Sequence, residues 1–424
     1  MKATDVFTPG TFPSYTYVER ERQAYETQLQ NAIDIKGQVI SLAGPSKSGK
    51  TVLVEQVVGK DDLLAITGAG IQNASDIWER VLDLMDAPTE ITYTTTTEGR
   101  GSVTVEASGE TGIPLLAKGS VTGGGSLEAS RAQTQGTVRR RGGQAQVIRE
   151  IGNSDFVILI DDFHYMPRSV QEDVARQIKA AIREGVKIVT ISVPHRSDDV
   201  VRANSELRGR TSTLDLDYWH KDELKEIATK GFELMNVILP EAVYAEFVEE
   251  AAGSPQLMQT ICLYTCFILG IRETLHEGRF FDIERGQIDN IFEAAATVTD
   301  FRTLVDVLDA GPRTRGTERK TFDFVDNTEG DVYRCILKAI SLDPPRLSFT
   351  YDDINSRIRE LCKGDTPSGS SVIGSCQHIA KLALDSAPTE RIIDWDEQKF
   401  FLDIPDPYFL FYLRWSDRLL EPER

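Results

Sequence analysis

The sequence predicts an α/β domain with a mostly parallel sheet, followed by an all-helical region and a C-terminal winged-helix domain. Three observations carry this expectation. Apolar, β-branched runs alternate with helical patterns through the first half of the chain, as in a sheet covered by helices on both faces. The run QVISLAG (Gln38 to Gly44) passes directly into the glycine-containing loop GPSKSGKT (Gly44 to Thr51) and then into a helical pattern. The C-terminal part reads as three helices and a β-pair.

Taken in order, residues 1–35 give a Pro- and aromatic-containing arm, expected to be extended, and a charged helix from about Glu19 to Ile33. A core over 36–220 follows. It opens with the buried strand at Gln38 to Gly44 and a helix from Lys50 to Val58. LLAIT (Leu63 to Thr67) reads as a short strand. Asp76 to Asp86 has helical spacing through Ile77, Val81, Leu84 and Met85. Further on come a helix over Gln144 to Ile151, the fully apolar strand FVILI (Phe156 to Ile160), a helix over Ser169 to Glu184, and the strands Lys187 to Val193 and Thr211 to Trp219. The pattern from Asp222 to Arg272 is all helical, inside a helical region spanning 221–310. A charged linker, 311–330, leads to 331–424. There, helices over Val332 to Ile340, Tyr351 to Leu361 and Ser371 to Leu384 precede the β-pair Arg391 to Trp395 and Lys399 to Ile404.

Residues 88–143 interrupt this order. They are rich in Gly, Thr and Ser (YTTTTEGRG, VTGGGSLEAS, RRRGG) and have too few large side chains for a core. Two readings stay open, a flexible surface insertion and a β-ribbon that orders on assembly. Alternating pieces such as SVTVEAS suggest loose hairpins.

GPSKSGKT matches G-x-x-x-x-G-K-[ST] in full, in the strand–loop–helix setting that the motif needs. Gly44 and Gly49 allow a backbone path that aims successive N–H groups, at a helix N-terminus, toward phosphate. Gly44, Pro45, Ser46, Lys47, Ser48, Gly49, Lys50 and Thr51 are therefore expected to bind a nucleoside triphosphate, namely ATP with Mg²⁺. Lys50 would reach the β- and γ-phosphates, and Thr51 would give its hydroxyl to Mg²⁺. The strand FVILIDDF ends in Asp161 and Asp162. An acidic pair at a strand end is, alone, often a turn cap. Behind a phosphate loop it reads as chemistry, with Asp161 holding Mg²⁺ through water and Asp162 as the general base that orients the attacking water.

These residues resemble the AAA+ superfamily, and within it the branch of STAND signalling ATPases, replication-origin initiators and transposition-regulator ATPases. The resemblance covers nearly the whole chain. It implies that YVERER (Tyr17 to Arg22) lies by the adenine, with Val18 and Arg20 as contacts and Glu19 where the branch has glycine. The strand KIVTISVPHR is similar to the sensor strand, which implies Ser192 and Arg196 near the γ-phosphate. NSELRGR (Asn204 to Arg210) resembles the segment carrying the arginine finger. Arg208 and Arg210 are its candidates, acting on a neighbouring subunit's nucleotide. GSPQLMQ (Gly253 to Gln259) resembles the STAND lid motif, with Pro255 at the nucleotide and Gln256 in a region where many AAA+ proteins have a sensor arginine. That favours a switch with slow turnover. LDIPDPYFLFYLRW (Leu402 to Trp415) is similar to the end of the winged-helix domain in archaeal-type ATPases of this branch.

Composition bounds the function. The 424-residue chain carries a net charge of −19. This argues against broad binding to nucleic acid or anionic membrane. No run of about 18 apolar residues predicts a spanning helix, and the opening residues lack the apolar stretch of a secretory signal. The five cysteines lack zinc spacing; they are expected to be buried and reduced, which implies a cytoplasmic home. The expectation is an ATP-binding, slowly hydrolysing switch that assembles with itself and with a partner effector protein. Family resemblance alone adds prokaryotic antiviral defence as a setting. One alternative is a DNA-associated ATPase of initiator or transposition-regulator type, which the charge disfavours although Arg139 to Arg141 form a basic run. The other is an ATP-bound scaffold without turnover.

Overall fold

Among the described residues, eight segments of extended backbone form up to Asp215: β1 (Val39–Ala43), β2 (Leu63–Thr67), β3 (Glu90–Thr97), β4 (Val103–Ser108), β5 (Thr134–Arg140), β6 (Val157–Asp161), β7 (Lys187–Ser192) and β8 (Thr211–Asp215). The structure is a computed structural model that describes residues 1–87, 90–97, 103–108, 134–140, 142–192, 207–313, 319–388 and 390–419. Five of these strands make one parallel sheet in the order β2-β6-β7-β1-β8. Every residue of β1 is buried, as are Val157 to Ile160 of β6. That explains their unbroken apolar character, since parallel strands are covered on both faces.

The chain divides into two compact units. One comprises residues 25–43 and 53–215 and holds this sheet. Its helices are α1 (Tyr25–Asp34), the later turns of α2 (Lys50–Val58), α3 (Ala74–Leu84), α4 (Gly143–Ile151) and α5 (Arg168–Arg183). Ile77, Trp78 and Val81 on α3 and Val174, Ile178 and Ile182 on α5 recur at helical spacing. They pack with Val39, Ile158, Ile160 and Ile188 of the sheet in one core. The Trp78 indole N–H donates to Gln177 on α5. The Gly/Thr/Ser-rich segment contributes a separate three-stranded antiparallel sheet, order β4-β3-β5, in keeping with the expected hairpins.

The second unit comprises residues 1–24, 44–52 and 216–424. After β8 come α6 (Lys221–Leu234), β9 (Val237–Ile238), α7 (Glu241–Glu250), α8 (Pro255–Ile268), β10 (Arg279–Phe280), α9 (Arg285–Ala296) and α10 (Arg302–Ala310). A small hairpin, β11 (Phe322–Asp323) and β12 (Glu329–Gly330), precedes the last domain. That domain runs α11 (Val332–Ser341), β13 (Ser348–Thr350), α12 (Tyr351–Leu361), α13 (Gly369–Ser386), β14 (Asp394–Asp396), β15 (Phe401–Asp403) and α14 (Pro407–Trp415). Helix, strand, two helices and a strand pair, with sheet order β13-β15-β14, is winged-helix connectivity. Each helix start has a local cause. Asp331 accepts from Tyr333 and Arg334 N–H, Thr350 and Asp353 form a capping box, Ser368 accepts from Ser371 N–H, and Asp406 caps α14 with Pro407 at its first position. One continuous core joins Val6 and Phe7 of the arm, Met258 and Ile261 of α8, Phe292 of α9, and Phe409 and Phe411 of α14.

Some local expectations need correction. The arm is not simply extended: Ala3–Val6 forms a helical turn, and the arm is bound to α8 by Thr8 N–H donating to Gln259 Oε1 and Gln259 Nε2 donating to Thr16 Oγ1. The helix expected from Glu19 begins at Tyr25, because residues before it form a turn that ends at Ala24 with φ of +50°. The helical region contains the parallel β9–β10 pair, and the linker contains the β11–β12 hairpin. All five cysteines are buried free thiols. Burial pushes the Cys266 and Cys376 thiols up to about 12, far from the thiolate form at neutral pH.

Candidate nucleotide-binding site

The phosphate-type loop leaves the C-terminal end of β1 and ends in the first turn of α2. Gly49 has φ of +87°, a left-handed value that a side chain would strain. At Gly44 a Cβ would stand 2.8 Å from Leu216 Cβ, so the chain after β8 passes too close for any other residue. The first-turn amides of α2 have no carbonyl four residues back. Lys50 Nζ lies over the loop and donates to the carbonyls of Gly44 and Pro45 at 3.0 and 2.5 Å. Ser48 is buried, and its hydroxyl has no hydrogen-bond partner among the described residues. Pro45 is buried, Ser46 half-buried and Thr51 exposed. The loop thus collects amide donors, an ammonium and an orphaned buried hydroxyl, a donor set that fits a polyphosphate.

Three other segments of the same unit grip this loop. First, the Trp219 indole N–H donates to Ser48 O at 2.9 Å. Arg20 stacks over the Trp219 ring at 5.2 Å, donates to the carbonyls of Asp217 and Tyr218, and pairs with Glu223 at 3.3 Å. Arg20 is 4% exposed and Val18 2% exposed, with Val18 in the apolar core. Arg20 thus braces the Asp217–Trp219 segment, whose indole holds Ser48 O. Second, Pro255 begins α8 with its Cγ 4.0 Å from where a Gly49 Cβ would lie. Third, Lys47 Nζ is 2.8 and 3.1 Å from the two oxygens of Asp406 and 4.4 Å from the Tyr408 ring centroid. Sequence reasoning missed Trp219 and Asp406 as loop partners. Asp406-Pro407 does announce a helix start, but nothing local to either residue points to Lys47.

In the sheet unit, Asp161 is the last residue of β6. Its carboxylate accepts from Asp162 N–H at 2.8 Å, and its carbonyl accepts from Gly68 N–H at 2.7 Å. Asp162 follows with φ of +55°, a left-handed residue opening a short turn. Ser192, buried at the end of β7, is in register with Ala43, the residue before the loop. Asp161, Ser192 and Ala43 thus end their parallel strands at one edge of the sheet, with β7 between β6 and β1. Arg208 and Arg210 are exposed and stand where β8 begins, at the opposite edge, with Arg210 O accepting from Val39 N–H. Within one chain the sheet therefore does not bring them to Asp161. Arg196 lies outside the described residues.

No family model matches the chain. Among solved structures it is similar to a Walker-type ATPase of Pyrococcus abyssi, with 15% identity over 94% of this chain and 96% of that one and a TM-score of 0.51. It also matches the ORC2 protein of Aeropyrum pernix, solved as ADPNP–ADP complexes, at 10% identity over 98% of this chain and 97% of that one with a TM-score of 0.49. A third match is Cdc6p from Pyrobaculum aerophilum, at 11% identity over 98% of each chain with a TM-score of 0.42. At these identities a likeness speaks for fold alone, and only the first reaches a score that carries weight. Together with the loop and the sheet order, it gives the chain the fold of a P-loop ATPase of the AAA+ type, with a helical region and a C-terminal winged-helix domain.

Proposed function

We propose that the chain is an ATP-driven switch that binds ATP with Mg²⁺, hydrolyses it slowly, and assembles with itself and a partner protein. The observation that supports this most is GPSKSGKT between a buried parallel strand and a helix, together with the acidic pair ending β6. Lys50 and the loop amides would bind the phosphates. Thr51 and Asp161 would hold Mg²⁺, which when bound offsets phosphate charge. Asp162 would accept a proton from the attacking water, and Ser192 would face the γ-phosphate. Arg208 and Arg210, exposed at the far edge of the sheet, suit the nucleotide of a neighbouring subunit, which is why self-assembly belongs to the proposal. The placement among STAND signalling ATPases rests on the Gly253–Pro255 motif and on Pro255 lying against Gly49.

Isothermal titration, phosphate release and mass measurement with and without ATP test the proposal together. Asp161→Ala is expected to weaken Mg²⁺-dependent binding and turnover by about tenfold or more. Asp162→Asn is expected to keep ATP affinity and lose turnover by roughly a hundredfold, the usual worth of a positioned base. A wild-type protein that binds ATP, releases no phosphate and keeps one mass would replace the switch by a scaffold.

A second reading, a DNA-associated ATPase, has the winged-helix connectivity in its favour. Charge opposes it. From Asp331 to Arg424 there are 12 Lys and Arg against 16 Asp and Glu, a net of −4. Helix α13, the recognition helix of this connectivity, has Lys381 as its one basic residue besides His378, and the β14–β15 strand pair carries Asp394, Asp396 and Glu397. Non-specific DNA affinity comes mainly from cations neutralising phosphates. Fluorescence anisotropy of the full chain with a labelled duplex at about 0.15 M salt is expected to show no sub-micromolar binding. Tight binding that falls steeply with salt would promote the DNA reading.

A further inference from the structure

We propose that Asp406, in the C-terminal domain, restrains the nucleotide affinity of the phosphate loop by holding Lys47 neutralised. The proposal rests on the reading of Gly44 to Thr51 as a nucleotide site. The loop carries two lysines. Lys50 lies over its carbonyls, whereas Lys47 is turned to another domain: both Asp406 oxygens are within 3.1 Å of its ammonium, and the Tyr408 ring lies under it at 4.4 Å. Its side chain is 27% exposed and that of Asp406 10%, so solvent screens the pair only in part. Lys47 also has φ of +59°, a conformation that surrounding contacts must hold for a residue with a Cβ.

The contact is tied into the elements around the loop. Asp406 caps α14 by accepting from Tyr408 N–H at 2.9 Å. The Tyr408 hydroxyl bonds Thr260 Oγ1 on α8 at 2.7 Å, and α8 begins at Pro255 against Gly49. Asp406 therefore links Lys47 to the start of α14 and, through Tyr408, to α8. A triphosphate brings several negative charges to the loop. Asp406 opposes them in two ways, by cancelling the Lys47 cation and by adding a like charge. ATP and the C-terminal domain then compete for one ammonium group. The competition ties nucleotide occupancy to the position of α14.

Asparagine caps a helix as well as aspartate does, so Asp406→Asn removes the charge and keeps the cap. Equilibrium and stopped-flow binding of N-methylanthraniloyl-ATP to the full chain would be compared for wild type, Asp406→Asn, Lys47→Met and the double variant. Asp406→Asn is expected to bind about tenfold tighter and release more slowly, Lys47→Met to bind about tenfold more weakly, and the double variant to lie within about threefold of wild type. If Asp406→Asn melts early, Asp406→Ser supplies the same charge loss with another capping residue. Single variants that shift affinity in the same direction, or Asp406→Asn and Asp406→Ser proteins that bind as wild type does, would overturn the proposal. A wild-type chain that fails to bind the probe would instead overturn the nucleotide site itself.

Discussion

Replacing Lys50 with alanine is expected to weaken ATP binding by at least about a hundredfold, which corresponds to roughly 2.7 kcal/mol. The reason is the charge balance of the site. The whole chain carries −19, so its general field repels a polyphosphate, and binding must come from groups within the loop. Amide N–H groups supply directionality but only partial charge. Of the loop's two full cations, Lys47 is paired with Asp406, and Lys50 lies over the Gly44 and Pro45 carbonyls. Charge-assisted hydrogen bonds are about twice as strong as neutral ones, so Lys50→Ala removes the largest single contribution. Lys50→Arg keeps charge but brings a planar fork into a cradle fitted to a compact ammonium, so it should recover only part of the affinity. Isothermal titration with Mg-ATP measures both variants, and their melting points should stay close to wild type because Lys50 is only half-buried. An unchanged affinity in Lys50→Ala would sink the reading of this loop as the nucleotide site.

What the sequence made legible follows the range of the forces involved. Leu63–Thr67, Lys50–Val58 and Tyr351–Leu361 occupy the residues their local patterns predict, because hydrophobic spacing and caps act over a few positions. The strand–loop–helix order around Gly44 to Thr51 and the strand that ends at Asp161 were legible for the same reason. β13 was missed: Ser348–Thr350 is three residues long and exists by pairing with Phe401–Asp403 across the domain. The β9–β10 pair is shorter still, and its partners are separated by two helices. Arg20 shows the limit at the site. Its place by the adenine comes from resemblance and not from a local pattern, and its bonds to the carbonyls of Asp217 and Tyr218 and to Glu223 come from packing about 200 positions away. The Lys47–Asp406 pair spans 359 positions, and no local pattern encodes a contact made by tertiary packing.

Glu250→Ala is expected to destabilise the C-terminal unit by about 3–5 kcal/mol, the cost of leaving one member of a buried ion pair alone. Glu250 ends α7 and is 8% exposed. It accepts from Arg414 Nε at 3.0 Å, from Arg414 Nη2 at 2.6 Å and from the Trp415 indole N–H at 2.7 Å. Burial alone would lower the Arg414 pKa, but hydrogen bonding and charge from Glu250 and Asp343 hold it above its ordinary value. With Glu250 gone, the Arg414 guanidinium, itself 7% exposed, would keep the Ser341 carbonyl and an Asp343 carboxylate that is 87% exposed. Water screens the second of these heavily. Glu250→Gln should cost less, since an amide oxygen still accepts from Trp415. Glu250→Ala combined with Arg414→Met should also cost less than Glu250→Ala alone, because no charge is then buried without its partner. Glu246→Ala is the control: its pair with Arg285 has side chains 39% and 62% exposed and should be worth less than about 1 kcal/mol. Urea and thermal unfolding of the four variants read out the order, and a Glu250→Ala loss no larger than that of Glu246→Ala would refute it. The pair joins the end of α7 to the end of α14, the helix whose other end presents Asp406 to Lys47. Glu250→Ala should therefore also relax the hold of α14 on the loop, so its ATP affinity should move in the direction of Asp406→Asn.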